Sequence, residues 1–187
     1  MSKSPPGAPS VNLLAVDTAT EGCSAACLAG DKSFERYAVD PQGHSRTLLG
    51  MVEAVLAEAR LERSALDALA YDAGPGSFTG IRIGAGVAQG LALGLEKPLL
   101  AVSSLMTLAE GARREQPGCN SVLAAIDARM DQVYWARLES DPEAPGHWRW
   151  DEMPCVSEPR EVAVHISGCT GVGSGWDRYS DVFMGDR

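Results

Sequence analysis

Residues 74–84 read Gly-Pro-Gly-Ser-Phe-Thr-Gly-Ile-Arg-Ile-Gly. A glycine-rich turn that opens into an apolar segment is a pattern that can hold an anion. The first N–H groups of a helix lack partners, and its dipole is positive at that end, so phosphate is favoured there. Gly74, Gly76 and Gly80 would let backbone approach such a ligand. Ser77 and Thr79 would add hydroxyls, and Arg82 a positive charge. Upstream, Asp17 closes the apolar run NLLAVD and Thr18 follows it, at a place where a carboxylate could face a magnesium-bound phosphate. These eight residues form the candidate anion or nucleotide contact.

The established phosphate motifs do not fit. A Walker A loop needs a lysine and a hydroxyl after its last glycine, whereas Gly80 is followed by Ile81 and Arg82. A Rossmann fingerprint needs GxGxxG, and Gly74, Gly76 and Gly80 are spaced GxGxxxG. The competing reading is structural. Pro75 and Gly76 make a tight turn, and Ser77 or Thr79 caps the helix. One loop alone is weak evidence for a ligand, so the structural reading carries more weight.

Other chemistry is sparse. His44, His147 and His165 form no HxxxH or HExxH pair, which argues against a histidine metal centre. No GxSxG elbow or cysteine–histidine motif is present. The five cysteines include no CxxC and read as small buried hydrophobes of a reducing compartment. With 16 basic against 25 acidic residues the net charge is −9, which excludes a chain that grips nucleic acid mainly by neutralising phosphates. Residues 1–10 lack the apolar stretch of a signal peptide and read as a disordered leader. No run is read as reaching the roughly 18 apolar residues of a membrane span. A soluble, cytoplasmic protein without membrane contact is expected. Trp135, Trp148, Trp150 and Trp176 are assigned mostly to packing.

The elements that position these residues follow from periodicity. Strands are expected at 12–17, 23–28 and 33–39, forming an antiparallel meander. Helical spacing of Leu48, Leu49, Val52, Val55 and Leu56 predicts a helix over 45–61, capped by Ser45. A strand at 68–71 leads to the glycine loop and a helix over 81–95. A strand at 98–102 precedes a helix capped by Ser103 or Ser104. Two strands, 122–127 and 132–139, flank a turn at 128–131. Beyond Glu139 the chain reads as irregular, with a possible strand at 162–166 and little pattern in the last dozen residues. GVGSGW at 171–176 is a candidate counterpart of the first glycine loop. Three antiparallel strands followed by βαβ units describe the ribonuclease H-like fold of actin-like proteins.

Five blocks occur in one order: LLAVDTATEGCSAAC, HSRTLLGMVEAVL, AGPGSFTGIRIGAGVAQGLALGL, AVSSLMTLA and IDARMDQVYWA. Together they resemble the TsaB (YeaZ) family over about residues 12–139. The resemblance implies an actin-like ATPase fold with a complete first lobe (11–115) and a reduced or truncated second lobe (116–187). It implies an accessory, non-catalytic subunit in the synthesis of threonylcarbamoyladenosine on tRNA. Such a subunit pairs with the catalytic subunit TsaD, is joined by the ATPase TsaE, and forms a homodimer when alone. It meets tRNA mainly through the complex. It requires no cofactor or metal of its own, with ATP and magnesium possible in the complex. Pairing through the first lobe and its first helix implies an interface set of His44, Ser45, Leu48, Leu49, Val52, Val55 and Leu56. Gly80, Gly84, Gly86 and Gly90 would let two helices approach closely. The other reading is an ATP-binding enzyme of kinase-like fold that uses the Gly74–Gly80 loop.

Overall fold

A computed structural model describes residues 11–39, 43–144, 146–162 and 167–185. The expected leader lies outside these residues. The chain divides at Val102/Ser103 into two compact units.

The first unit contains β1 (Asn12–Asp17), β2 (Gly22–Ala29), β3 (Lys32–Val39), α1 (His44–Ala59), β4 (Ala68–Asp72), α2 (Phe78–Leu95) and β5 (Leu99–Val102). Its sheet runs β3-β2-β1-β4-β5. The first three strands are an antiparallel meander, and β4 and β5 add in parallel. Alternate residues of the central strands, Leu14 and Val16 with Cys23, Ala25 and Cys27, bury one face. Both α1 and α2 cover that face. The α1 side chains Leu48, Val52, Val55 and Leu56 and the α2 residues Ala88 and Ala92 complete the cluster. Each such leucine or valine contributes about 1.5–3 kcal/mol by burial.

The second unit contains α3 (Ser104–Glu115), β6 (Ser121–Arg129), β7 (Gln132–Ser140), β8 (Trp148–Ser157), α4 (Pro159–Val162), β9 (Thr170–Val172) and α5 (Ser174–Met184). Its sheet runs β8-β7-β6-β9. Even-numbered residues of β6 pack under α3, with Leu105 and Ala109. Odd-numbered Leu123 and Ala125 face the other way, in one cluster with Phe183 of α5. The order and pairing of these strands are those of the ribonuclease H-like, actin-like α/β fold.

Several expectations shift. The sequence places helix 104–115 in the first lobe, but its apolar face packs in the second unit, because amphipathicity does not say which sheet a helix covers. Helix α1 begins at His44 behind Gly43, without a side-chain cap, so Ser45 lies inside it. Helix α2 starts three residues earlier than expected, behind Ser77. The stretch expected to be irregular holds β8, a sheet edge, where Pro154 is tolerated. Trp176, Tyr179 and Phe183, spaced three and four apart, lie on a helix rather than in patternless chain. Of the strand expected at 162–166, Val162 is helical and 163–166 lie outside the described residues. Helix α2 also has 18 residues at mean hydropathy 1.2, long and apolar enough by those measures to cross a membrane, where the sequence reading found no such run. In this fold it packs on the sheet.

Helix α2 carries two rows of residues spaced by four. Gly80, Gly84, Ala88 and Ala92 are buried. Phe78, Arg82, Gly86, Gly90 and Gly94 are exposed. A Cβ on Gly80 would overlap the Thr18 carbonyl oxygen, whereas Gly86, Gly90 and Gly94 have open space. Gly80→Ala is therefore expected to cost about 1–3 kcal/mol by overpacking against backbone. Gly90→Ala should instead gain about 0.5–1 kcal/mol from helix propensity. Urea denaturation of the two variants checks both signs.

Candidate functional site

The glycine loop joins β4 to α2 and rests on the turn after β1. Asp72 ends β4, is buried, and its Oδ1 accepts the Gly74 N–H at 2.7 Å. The Gly74–Pro75 peptide is cis, and Gly74 takes a φ of 94°. The Ser77 N–H donates to the Ala19 carbonyl at 2.6 Å. Ser77 Oγ then caps α2 by accepting the Gly80 N–H at 3.3 Å. Buried Thr18 donates from Oγ1 to the Gly80 carbonyl at 2.7 Å. A Cβ on Gly76 would overlap the Ala19 carbonyl oxygen. The amides of Ser77 and Gly80 are thus bonded within the chain, and the loop's close approach is to its own backbone. That is the structural reading of the motif: a tight turn and a capped helix start. Thr79 and Arg82 point outward, with the Arg82 guanidinium 3.3 Å over the Phe78 ring.

Asp17 stands on the other side of this contact. Its Oδ1 accepts the Ala19 N–H at 2.7 Å, so the carboxylate shapes the turn that receives the loop. Burial pushes its pKa up. The Ala19 hydrogen bond and the charge of His44 pull it down by less. His44 is buried at the start of α1, with Nε2 3.4 Å from the Glu21 carbonyl oxygen. The structure therefore brings Asp17, Thr18, Gly74, Gly76, Ser77 and Gly80 together, and leaves Thr79 and Arg82 at the surface. Sequence reasoning missed Asp72, although, like Asp17, it ends an apolar strand.

The expected interface set divides differently. His44, Leu48, Val52, Val55 and Leu56 are core residues of the first unit and cannot serve as a contact surface. Their helical spacing marks the face turned to the sheet. Of the set, Ser45 and Leu49 are exposed. They share one α1 row with Glu53 and Ala57, and Gly50 beside them has open space. The larger apolar surface is on α2, where Phe78 is 72% and Leu93 82% exposed. Helices α1 and α2 touch.

The second unit repeats the turn chemistry. Asp127 Oδ1 accepts the Arg129 N–H at 3.0 Å, and the Asp127 N–H donates to Ser174 Oγ at 3.1 Å. Gly173 lies against the Ala125 carbonyl, with a φ of 103°. GVGSGW is thus the structural counterpart of the first loop. Here Arg178 pairs with Asp127 Oδ2 at 2.9 Å. On α3, burial pushes the Glu110 carboxyl up, but hydrogen bonds from Arg114, Arg113 and Trp148 outweigh it and hold it below the usual range. Cys23, Cys27 and Cys119 are buried as expected, while Cys155 is exposed and Cys169 half-buried. Among the described residues, no three His, Cys, Asp or Glu side chains cluster as metal ligands.

Comparison with known proteins gives these features a context. The family model "TsaD: tRNA N6-adenosine threonylcarbamoyltransferase" matches residues 39–144. The chain is 43% identical over 176 residues to the tRNA threonylcarbamoyladenosine biosynthesis protein TsaB of Escherichia coli, spanning 92% of this chain and 75% of that one. It is 38% identical over 177 residues to TsaB of Haemophilus influenzae, spanning 91% and 75%. The structure of YeaZ from Pseudomonas aeruginosa matches with a TM-score of 0.84 at 45% identity, over 95% of this chain and 81% of that one. A second Pseudomonas aeruginosa structure, of a protein described as similar to peptidase YeaZ, matches with a TM-score of 0.84 at 44% identity, over 93% and 80%. The class is therefore an actin-like α/β protein of tRNA threonylcarbamoyladenosine biosynthesis. The chain belongs to the TsaB (YeaZ) family.

The raised pKa of Asp17 makes its sign of linkage testable. A carboxyl whose folded pKa is raised stabilises the fold below its unfolded pKa, and that contribution is lost as pH rises through the folded value. Above its unfolded pKa the buried Asp17 is therefore a cost to the fold. Asp17→Asn keeps an oxygen for the Ala19 N–H. It should be more stable than the native chain at pH 7, with the difference vanishing near pH 3. Urea midpoints at the two pH values measure this.

Proposed function

We propose that the chain is an accessory, non-catalytic subunit of the complex that makes threonylcarbamoyladenosine on tRNA. It pairs with the catalytic TsaD subunit, and TsaE joins that pair. In isolation it pairs with a second copy of itself. It reaches tRNA through the complex, in keeping with its net charge of −9, and needs no metal or cofactor of its own. ATP with magnesium belongs to the assembled complex. The proposed compartment is the cytoplasm.

The exposed row of α2 carries this reading. Three of its residues are glycines, each costing about 0.5–1 kcal/mol relative to alanine in a helix interior. Among the described residues nothing approaches Gly86, Gly90 or Gly94 closely enough to require a bare α-carbon. A second helix laid along the row would. Phe78 and Leu93 are large exposed apolar side chains on the same helix, and Leu49 is exposed on α1. An exposed apolar strip of this kind marks a contact surface. The glycine loop supports the same reading, since its backbone is engaged with Thr18 and Ala19 and fixes where α2 lies.

The direct test is reconstitution. The purified chain alone should leave tRNA unmodified, and should restore modification to TsaD supplied with TsaE, threonylcarbamoyl-adenylate and tRNA. Failure to co-purify with TsaD would sink the proposal. Gly90→Leu and Leu93→Asp should keep the native circular dichroism and a cooperative thermal transition no lower than about 5 °C below native yet reduce pairing at least tenfold. Leu48→Asp should instead unfold the first unit, because Leu48 is fully buried.

A further inference from the structure

The hairpin between β6 and β7 departs from ordinary turn chemistry. Arg129 pairs with Gln132, so Met130 and Asp131 are its central residues. Arg129, Met130 and Asp131 take φ values of 64°, 52° and 55°. Consecutive left-handed residues that bear a Cβ carry a steric penalty, which glycine avoids and asparagine largely avoids. A tight hairpin with positive φ at both central residues prefers Asn-Gly. The β2–β3 hairpin meets its own need with glycine, Gly30 at a φ of 60°. The other described non-glycine residues of positive φ, Arg60 and Glu96, are single helix C-caps, where one such residue is usual.

The side chain at the tip is as costly as the backbone. Met130 is 91% exposed, and among the described residues no large apolar side chain is more so. The base of the turn is braced. Asp127 accepts the Arg129 N–H through Oδ1 and pairs with Arg178 through Oδ2. Arg178 also reaches Asp131 at 3.9 Å and lies over the Tyr179 ring. Both carboxylates of the turn thus face Arg178. Arg129 is exposed, and among the described residues no carboxylate pairs with its guanidinium. A thioether and an unanswered cation therefore stand side by side on a fixed turn. Neither the backbone nor the side chain of Met130 favours the free chain.

We infer that Met130 is an apolar anchor that inserts into a socket on a folded protein partner, apolar within and with a carboxylate at its rim facing Arg129. Unbranched, polarisable methionine suits such a socket. An apolar side chain ringed by charge is a common form of interface anchor. The braced turn spares the entropy of ordering on contact. A nucleic acid would answer Arg129 with phosphate, but it would meet the charge of Asp127 and Asp131 beside it. It would also leave the thioether without an apolar socket. This anchor presupposes the subunit role proposed above, so TsaD serves as the probe.

Met130→Asn is the informative variant, because asparagine suits the turn. In the full chain its thermal midpoint should rise by about 2–4 °C. Its dissociation constant for purified TsaD should nonetheless rise about tenfold or more. Arg129→Gln should weaken the same binding and make it less dependent on salt. Equal affinity of the native and Met130→Asn chains for TsaD would overturn the inference and leave the subunit role standing. A lowered midpoint would overturn it as well, since Met130 would then be packed within the free chain. So would a loss confined to tRNA binding, with the affinity for TsaD intact. A native chain that does not bind TsaD fails the subunit role, and the anchor with it.

Discussion

The carbonyl oxygens of Thr18 and Ala19 lie against the bare α-carbons of Gly80 and Gly76, and the geometry of the first unit follows from that contact. It lets α2 begin almost on top of the turn after β1. The Ser77 N–H and the Thr18 hydroxyl bridge the gap in both directions, at 2.6 and 2.7 Å. With its first turn fixed at two points, α2 has one allowed rotation about its axis. Gly80, Gly84, Ala88 and Ala92 then face the sheet, and Phe78, Arg82, Gly86, Gly90 and Gly94 face outward. A contact that looks like a phosphate cradle in the sequence is the joint that decides which side of the helix is on show.

Much of this was legible beforehand, for local reasons. The meander and the helix at Leu48–Leu56 follow from periods of two and 3.6, which single residues set without help from distant chain. A hydroxyl cap, Ser77 or Thr79, follows from the place of these residues before an apolar run, and the structure uses Ser77. The faces of α1 were harder to read. Leu48, Val52, Val55 and Leu56 have the spacing of an apolar stripe, but a stripe has the same spacing whether it meets a sheet of its own chain or a partner. Only the positions of β1 and β2 show that it is core. The same ambiguity moved α3 from one unit to the other. In the second half, Pro154 hid β8, since proline within a strand is permitted only at an edge, and edge position is a property of the whole sheet. Asp72 went unnoticed because its partner is its own backbone two residues on.

The glycines separate into two kinds, and their sequence spacing does not distinguish them. Gly76, Gly80 and Gly173 are required by backbone that a Cβ would strike. Gly86, Gly90 and Gly94 stand in open space. The first kind contributes to the stability of the free chain, because it permits contacts that no other residue allows. The second kind subtracts from that stability, as glycine in an exposed helix interior does. A helix that bears both kinds on opposite rows makes one close approach within the first unit, and the proposed partner helix would make the other.

The hydropathy of α2 leads to the same point from another direction. A helix apolar on all sides is suited to lipid or to burial between two protein surfaces. Its buried row meets a sheet, which is what a helix of a globular domain does. Its exposed row opens with Arg82 stacked on Phe78 and is then interrupted by glycine at every fourth residue. Glycines remove apolar area that a lipid-facing surface would retain, and they leave a groove that only another backbone can fill closely. Shape, more than hydrophobicity, therefore defines this surface, and shape is matched by a folded partner. The proposed role in holding another subunit rests on that preference, with the Thr18–Gly80 contact fixing which row of α2 faces outward.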